Sequence, residues 1–228
     1  MRVRVATYNL AGFRFGIEPA AAALLQGSAG PLPDIALLQE CGSRTALRRF
    51  AKLLAGETVS THRPFNRVRN AVLYRPPWKL RAPAMIREHP PMGATNRRGL
   101  IVAPLQSSGL RVNAVAAHLG LLPDERRRHA AQMVEFVGQL EGPTILGADL
   151  NEGPRDATVR IIEGRLREAF RTSGYAPGDT YPAHGPIVRI DYLFGSEDVK
   201  IVRAWTGVGP AVERGSDHLP VFAEVEVG

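Results

Sequence analysis

The sequence predicts an α/β sandwich: two packed sheets flanked by helices. Two observations carry this expectation. Strand-like segments outnumber helical ones, and the two kinds are interspersed along the chain. The 228 residues suffice for one large domain or two small ones, and no Pro/Ser/Gly linker long enough to divide them is present. Residues 1–228 are therefore expected to form a single domain. No internal repeat, low-complexity segment or heptad array stands out, and a monomer is expected.

The first strand is read at Arg2–Thr7, where Val3, Val5 and Thr7 alternate with Arg2, Arg4 and Ala6. Tyr8-Asn9-Leu10 continues it into a turn at Ala11-Gly12. A short helix suits residues 18–26, with Pro19 near its start and Gly27 just past its end. Residues 34–39 read as a buried strand ending at Glu40. Ser43 is placed to cap a helix carrying Leu47, Phe50, Leu53 and Leu54.

Further strands are expected at residues 68–74, stopped by Pro76-Pro77, and at 100–105 and 110–117 around a Ser107-Ser108-Gly109 turn. The clearest helix spans residues 124–140, with Ala130, Met133, Val134, Val137 and Leu140 as its apolar stripe. A strand at 144–148 ends at Asp149, and residues 157–166 suit a helix. Strands at 187–194, 199–205 and 219–227 complete the second half.

Composition narrows the function classes. Hydrophobic content of 44% and charged content of 22% describe a globular chain with a sizeable core. No apolar run approaches the roughly 20 residues that span a bilayer. Thr7, Asn9 and Gly12 interrupt any apolar core after Arg2, so no secretory signal is read and a cytoplasmic location is expected. The lone cysteine, Cys41, excludes an internal disulfide and a multi-cysteine zinc site, and reads as buried filler. A net charge of +7 and a pI near 10.2 raise the prior for an anionic partner such as nucleic acid. The Arg-rich composition also fits codon bias.

The informative feature is where polar residues fall. Strand after strand ends in a group able to bind metal or move protons: Asn9, Glu40, His118, Asp149 with Asn151, Asp191, and Asp217-His218 before the last strand. Catalytic groups collect where strands of a rigid scaffold give way to loops. Carboxylate and amide oxygens are hard ligands that suit Mg²⁺ or Mn²⁺. Phosphoryl hydrolysis needs offset charge, an activated water and a stabilised leaving group. Each residue has a plainer reading too: Asn9 as a turn residue, Glu40 as a helix cap, Asp149-Leu150-Asn151 as an Asx turn, His118 as a core histidine. Their joint occurrence in this order weighs against those readings.

The ordered blocks Thr7-Tyr8-Asn9, Leu38-Gln39-Glu40, His118-Leu119, Gly147-Ala148-Asp149-Leu150-Asn151, Arg189-Ile190-Asp191-Tyr192 and Ser216-Asp217-His218-Leu219-Pro220 resemble the endonuclease/exonuclease/phosphatase superfamily, which includes deoxyribonuclease I. The resemblance spans residues 7–221. It implies a four-layered α/β sandwich with two packed, mainly antiparallel sheets, and a metal-dependent phosphoester hydrolase. By the same resemblance Glu40 is the principal metal ligand, with Asn9 beside it and Asp217 additional. Asp149 positions or deprotonates the attacking water, and Asn151 holds that water or a phosphate oxygen. His218, oriented by Asp191, contacts the scissile phosphate, and His118 donates a proton or hydrogen bond. Arg97, from an Asn96-Arg97 pair like one in deoxyribonuclease I, is a candidate phosphate contact. Asn70 is a candidate for orienting His118 or touching substrate.

Departures from the family narrow the expectation. Ala11 stands where the abasic-site repair branch has Asp, and His118 where that branch has Tyr. Neither an exposed aromatic hairpin nor a secretory signal supports a sphingomyelinase-like member, and inositol phosphatase motifs are not found. The leading expectation is an endonuclease or broad phosphodiesterase on nucleic acid. A phosphatase or phosphodiesterase for a small molecule or lipid headgroup is the alternative, and a catalytically inactive binding module a third.

Overall fold

The computed structural model describes residues 1–61, 69–92 and 97–228. The sheet built from the two chain ends contains β1 (Arg2–Asn9), β2 (Ile35–Gln39), β3 (Glu57–Ser60), β4 (Ala71–Tyr74), β12 (Val199–Thr206) and β13 (Val221–Val227), in the order β12-β13-β1-β2-β4-β3. The other contains β5 (Lys79–Leu80), β6 (Met85–His89), β7 (Arg98–Ser107), β8 (Leu110–His118), β9 (Thr144–Asp149), β10 (Arg167–Glu168) and β11 (Asp191–Gly195). Its order is β10-β11-β9-β8-β7-β5, with β6 also on β7. Pairing is antiparallel except for β1 with β2 and β8 with β9.

Alternation explains the layers. In β1, Val3 and Val5 face the opposing sheet while Ala6 and Tyr8 face helices. In β2, Ile35 and Leu37 face inward and Ala36 and Leu38 outward. The second sheet follows the same period of two: Ala114, Ala116, Ile145 and Leu193 enter the inter-sheet core, and Val115, Ala117, Leu146, Ala148 and Tyr192 meet helices. Helices α1 (Ile17–Gly27) and α2 (Arg44–Leu53) cover the first sheet through Leu24, Leu47 and Phe50. Helices α3 (Pro123–Val137) and α4 (Ala157–Glu163) cover the second through Ala130, Met133, Val159 and Ile162. The result is the four-layered α/β sandwich. Strands covered on both faces read as nearly continuous apolar runs.

Several boundaries differ from the sequence reading. Ser43 does cap α2, accepting from the Ala46 amide at 3.1 Å, but Leu53 turns out to solvent. Helix α3 stops at Val137 and α4 at Glu163, each ended by a glycine. The strand expected at 187–194 begins only at Asp191. Before it, Ile187 is exposed and Val188 makes only an isolated bridge to Tyr181. Val68, the expected start of β4, lies outside the described residues. Strands β3, β5, β6 and β10 were not legible because they are short or polar; the first four residues of β6 are exposed. Cys41 is buried, and burial pushes its thiol pKa up, as an inert filler requires.

Candidate active site

Inward alternation carried to the strand ends places the site. Asn9 follows Val3, Val5 and Thr7 on one parity of β1. Asp149 follows Ile145 and Gly147 on β9, His118 follows Ala114 and Ala116 on β8, and Asp191 shares parity with Leu193 on β11. Register completes the row: Asp149 lies opposite His118 on one side and Asp191 on the other. Across the sandwich, the Asn9 amide donates to Asp149 Oδ2 at 2.8 Å, joining the two sheets. Gly147 permits this approach, since a Cβ there would lie 2.7 Å from the Leu37 Cβ and 2.8 Å from the Thr7 Cβ.

Loop residues close the group. Glu40 and Asn151, each just past a strand end, have left-handed backbones with φ of 46° and 52°. Asparagine tolerates that region, whereas for glutamate it costs roughly 1–2 kcal/mol. Gly12 donates its amide to the Glu40 carbonyl at 2.8 Å and helps hold the turn. The Asn151 amide N–H donates to Asp149 Oδ1 at 3.0 Å, so the Asx turn read from sequence is present within the site.

The two histidines sit in opposite electrostatic settings. His218 is buried and its Nδ1 is 2.9 Å from Asp191 Oδ2. Burial disfavours its charged form, but the carboxylates of Asp191, Asp149 and Asp217 outweigh burial and raise its pKa to about 10. His218 is therefore an imidazolium at neutral pH, and the ring of Tyr181 lies against it at 5.0 Å. For His118, burial dominates; Asp149 opposes it, but Arg98 adds to it, and the pKa falls to about 3. Its Nε2 lies 3.3 Å from Asp149 Oδ2 and its Nδ1 2.8 Å from an Arg98 Nη1.

The oxygen donors suit a hard divalent cation. Glu40 is partly exposed, and its carboxylate stands 3.7 Å from Arg98 and 3.9 Å from His118, beyond hydrogen-bonding distance. Asn9 Oδ1 accepts the Ala11 amide at 2.9 Å and keeps a second lone pair. Asp217 accepts from Arg14 at 2.8 Å through a side chain 67% exposed, an exchangeable partner. The carboxylate and amide oxygens of Glu40, Asn9 and Asp217 are of the hard kind that divalent cations such as Mg²⁺ or Mn²⁺ prefer. Atoms of Asp149, Asp191 and His218 also lie within 4.8 Å of one another, a spacing compatible with metal. Both Asp149 oxygens already accept hydrogen bonds, from Asn9 and from the Asn151 backbone, and His218 Nδ1 is engaged by Asp191, so this buried trio reads more naturally as an acid–base group.

Two sequence candidates fall elsewhere. Arg97 does not join the cluster: its side chain is 61% exposed and pairs with Glu88 at 3.5 Å. Strand β7 begins at Arg98, so Arg97 lies on the connection before it, and Asn96 lies outside the described residues. The arginine that reaches the site is Arg98, whose side chain is 11% exposed. Among the described residues Asn70 hydrogen-bonds to neither histidine; its Nδ2 donates at 2.6 Å to the carbonyl of Gly99, the register partner of His118. Arg98, Arg14 and Tyr181 were missed. A solvated arginine and one facing a cleft look alike in sequence, and no motif marked these three.

The Endonuclease/Exonuclease/phosphatase family profile matches residues 6–218, and the chain belongs to that family. Among curated proteins it is 25% identical over 136 residues to the uncharacterized protein YbhP of Escherichia coli (strain K12). That match covers 56% of this chain and spans about half the length of YbhP. The fold is similar to the endonuclease/exonuclease/phosphatase from Bacteroides vulgatus, with a TM-score of 0.83, 17% identity and full coverage of both chains. It is also similar to D. rerio TDP2 complexed with single strand DNA product, with a TM-score of 0.80, 17% identity and 99% of each chain covered. The mannosyl-6-phosphatase Bt3783 of Bacteroides thetaiotaomicron VPI-5482 has a TM-score of 0.77 and 19% identity, over 98% of this chain and 99% of its own. At these identities the structures speak to fold. Members of the superfamily are phosphoester hydrolases. Among the described residues, no helix is long and apolar enough to cross a membrane.

Proposed function

We propose that this protein is a divalent-metal-dependent phosphodiester hydrolase acting on nucleic acid by in-line attack of water. The observation that carries the reading is the convergence at one end of the sandwich of Asn9, Glu40, His118, Asp149, Asn151, Asp191, Asp217 and His218. Glu40, with Asn9 and Asp217, would hold Mg²⁺ or Mn²⁺, which when bound offsets charge on the nonbridging phosphate oxygens. Asp149 positions the attacking water and takes its proton, held in place by Asn9 and the Asn151 amide. Asn151 retains the water or a phosphate oxygen. His218, kept charged by Asp191, donates to the phosphate, and His118 donates beside it. The attack is a single step without a covalent intermediate.

Nucleic acid is favoured by the net charge of +7 and by a neighbour seen with single strand DNA product. A second reading, a phosphatase or phosphodiesterase for a small phosphate ester, draws on the mannosyl-6-phosphatase neighbour. An inactive binding module is disfavoured because every expected polar position is filled.

The test incubates purified protein with supercoiled plasmid and, separately, with small phosphate esters, in Mg²⁺, Mn²⁺ or EDTA, beside His218→Ala. Metal-dependent nicking lost in the variant is expected, with DNA binding that falls steeply with salt. Turnover of the small esters alone would move the substrate to the second reading. Nicking that survives in His218→Ala or in EDTA would overturn the assignment.

A further inference from the structure

Among the described residues Arg98 makes the shortest polar contact to the His118 ring, and a guanidinium has only donors to offer. At 2.8 Å from Arg98 Nη1, His118 Nδ1 must therefore present a lone pair, which leaves the ring hydrogen on Nε2. The carboxylate oxygen on that side is Asp149 Oδ2, at 3.3 Å. The Asn151 side-chain amide competes on that side: one of its two hydrogens goes to the Leu119 carbonyl at 3.2 Å and the other faces Nε2 at 3.1 Å, but the shorter, charge-assisted contact from Arg98 at 2.8 Å decides the tautomer. Glu40, 3.9 Å from Nδ1, is too far to act as the partner that would reverse the tautomer.

The arginine is itself held. Asn70 donates at 2.6 Å to the carbonyl of Gly99, the residue after Arg98 and the register partner of His118. Gly99 lets β6 approach, because a Cβ there would collide with the Arg87 carbonyl. Asn70 and Gly99 thus fix the start of β7, and the start of β7 aims the guanidinium.

We infer that Arg98 is a positioning residue that locks His118 in the Nε2–H tautomer. This rests on the hydrolase reading for its catalytic meaning. His118 then keeps its hydrogen on Nε2, beside Asp149, and serves there as a fixed hydrogen-bond donor.

Ring-¹⁵N-labelled protein in Mg²⁺ buffer tests the inference by long-range ¹H–¹⁵N NMR, with His118→Gln to assign the signal. Wild type should show a protonated Nε2 and an unprotonated Nδ1 at His118. Arg98→Met should move the ring toward a tautomer mixture or the Nδ1–H form, while the remaining histidine signals stay in place. Arg98→Lys, which keeps a cationic donor, should restore much of the wild-type pattern. A protonated Nδ1 in wild type, or an unchanged His118 pattern in Arg98→Met, would overturn the inference. If Arg98→Met fails to fold, the wild-type and Arg98→Lys spectra decide it. The spectrum does not require turnover, so a protein that hydrolyses nothing would sink the proposed function and leave this result to be read separately.

Discussion

Replacing Gly147 by alanine would perturb the site without touching any of its polar groups. Gly147 faces the opposing sheet, and an added Cβ would stand 2.7–2.8 Å from side-chain carbons of Leu37 and Thr7. Ordinary carbon–carbon contact is about 3.5–4.0 Å, so the sheets must yield by roughly 0.8 Å or more. Those carbons belong to β1, which carries Asn9, and to β2, which leads directly into Glu40, and Gly147 itself lies two residues before Asp149. Overpacking of this kind costs about 1–3 kcal/mol. The displacement falls on the 2.8 Å bond between Asn9 and Asp149, and misplacement near 1 Å can cost about 10²-fold in rate. Urea denaturation and metal-dependent hydrolysis at a temperature where the variant is fully folded would measure the two effects. Gly142→Ala, where a Cβ meets nothing within 4 Å, controls for loss of a glycine, although its positive φ of 84° brings a backbone cost of its own. Wild-type stability and turnover in Gly147→Ala would refute the idea that close sheet approach assembles the site.

Other outcomes follow from buried ionisable groups. The buried Arg189–Glu168 pair, at 2.6 Å, also caps α5 (Ala169–Ser173) through the Phe170 and Arg171 amides. Glu168→Ala should cost about 3–5 kcal/mol in chemical denaturation by stranding Arg189, and a cost under about 1 kcal/mol would contradict this. His89 is held neutral by burial and by His129, stacked at 4.8 Å; its pKa falls to about 4 despite the Gln132 hydrogen bond, with Arg87 adding a smaller push. Because the folded value lies below the ordinary 6.5, the unfolded chain takes the proton first. The stability is full above pH 6.5 and is lost as pH falls through 4. Between pH 7 and 5 wild type should lose about 2 kcal/mol through this group, and His89→Asn should lose correspondingly less; parallel losses in urea melts would refute it. His118→Ala should reduce turnover by roughly 10²-fold or more, and near-normal turnover would remove His118 from the site.

Much of this was legible in the sequence because the strands obey a strict period of two. That alternation carries Asn9, His118, Asp149 and Asp191 to the inward face at one end of the sandwich. Arg97 shows where the logic stops: the strand starts one residue later, and the residue beside it, Arg98, reaches His118. Arg189, conspicuous within a recognisable block, faces Glu168 and stacks over Tyr192 at 4.6 Å, a packing role that a motif cannot distinguish from catalysis. Arg14 meets Asp217 from 203 residues away in sequence, and Tyr181 meets His218 through a connection without regular periodicity. Such pairings arise from loop paths, which alternation does not encode.

The most direct test of the metal-centred account is Mn²⁺ binding followed by electron paramagnetic resonance in wild type, Glu40→Ala and Asp191→Asn. Saturable binding in wild type that Glu40→Ala abolishes and Asp191→Asn retains is the expected result. Binding that survives in Glu40→Ala but disappears in Asp191→Asn would place the metal among Asp149, Asp191 and His218, and would contradict the assignment of Glu40 as its ligand.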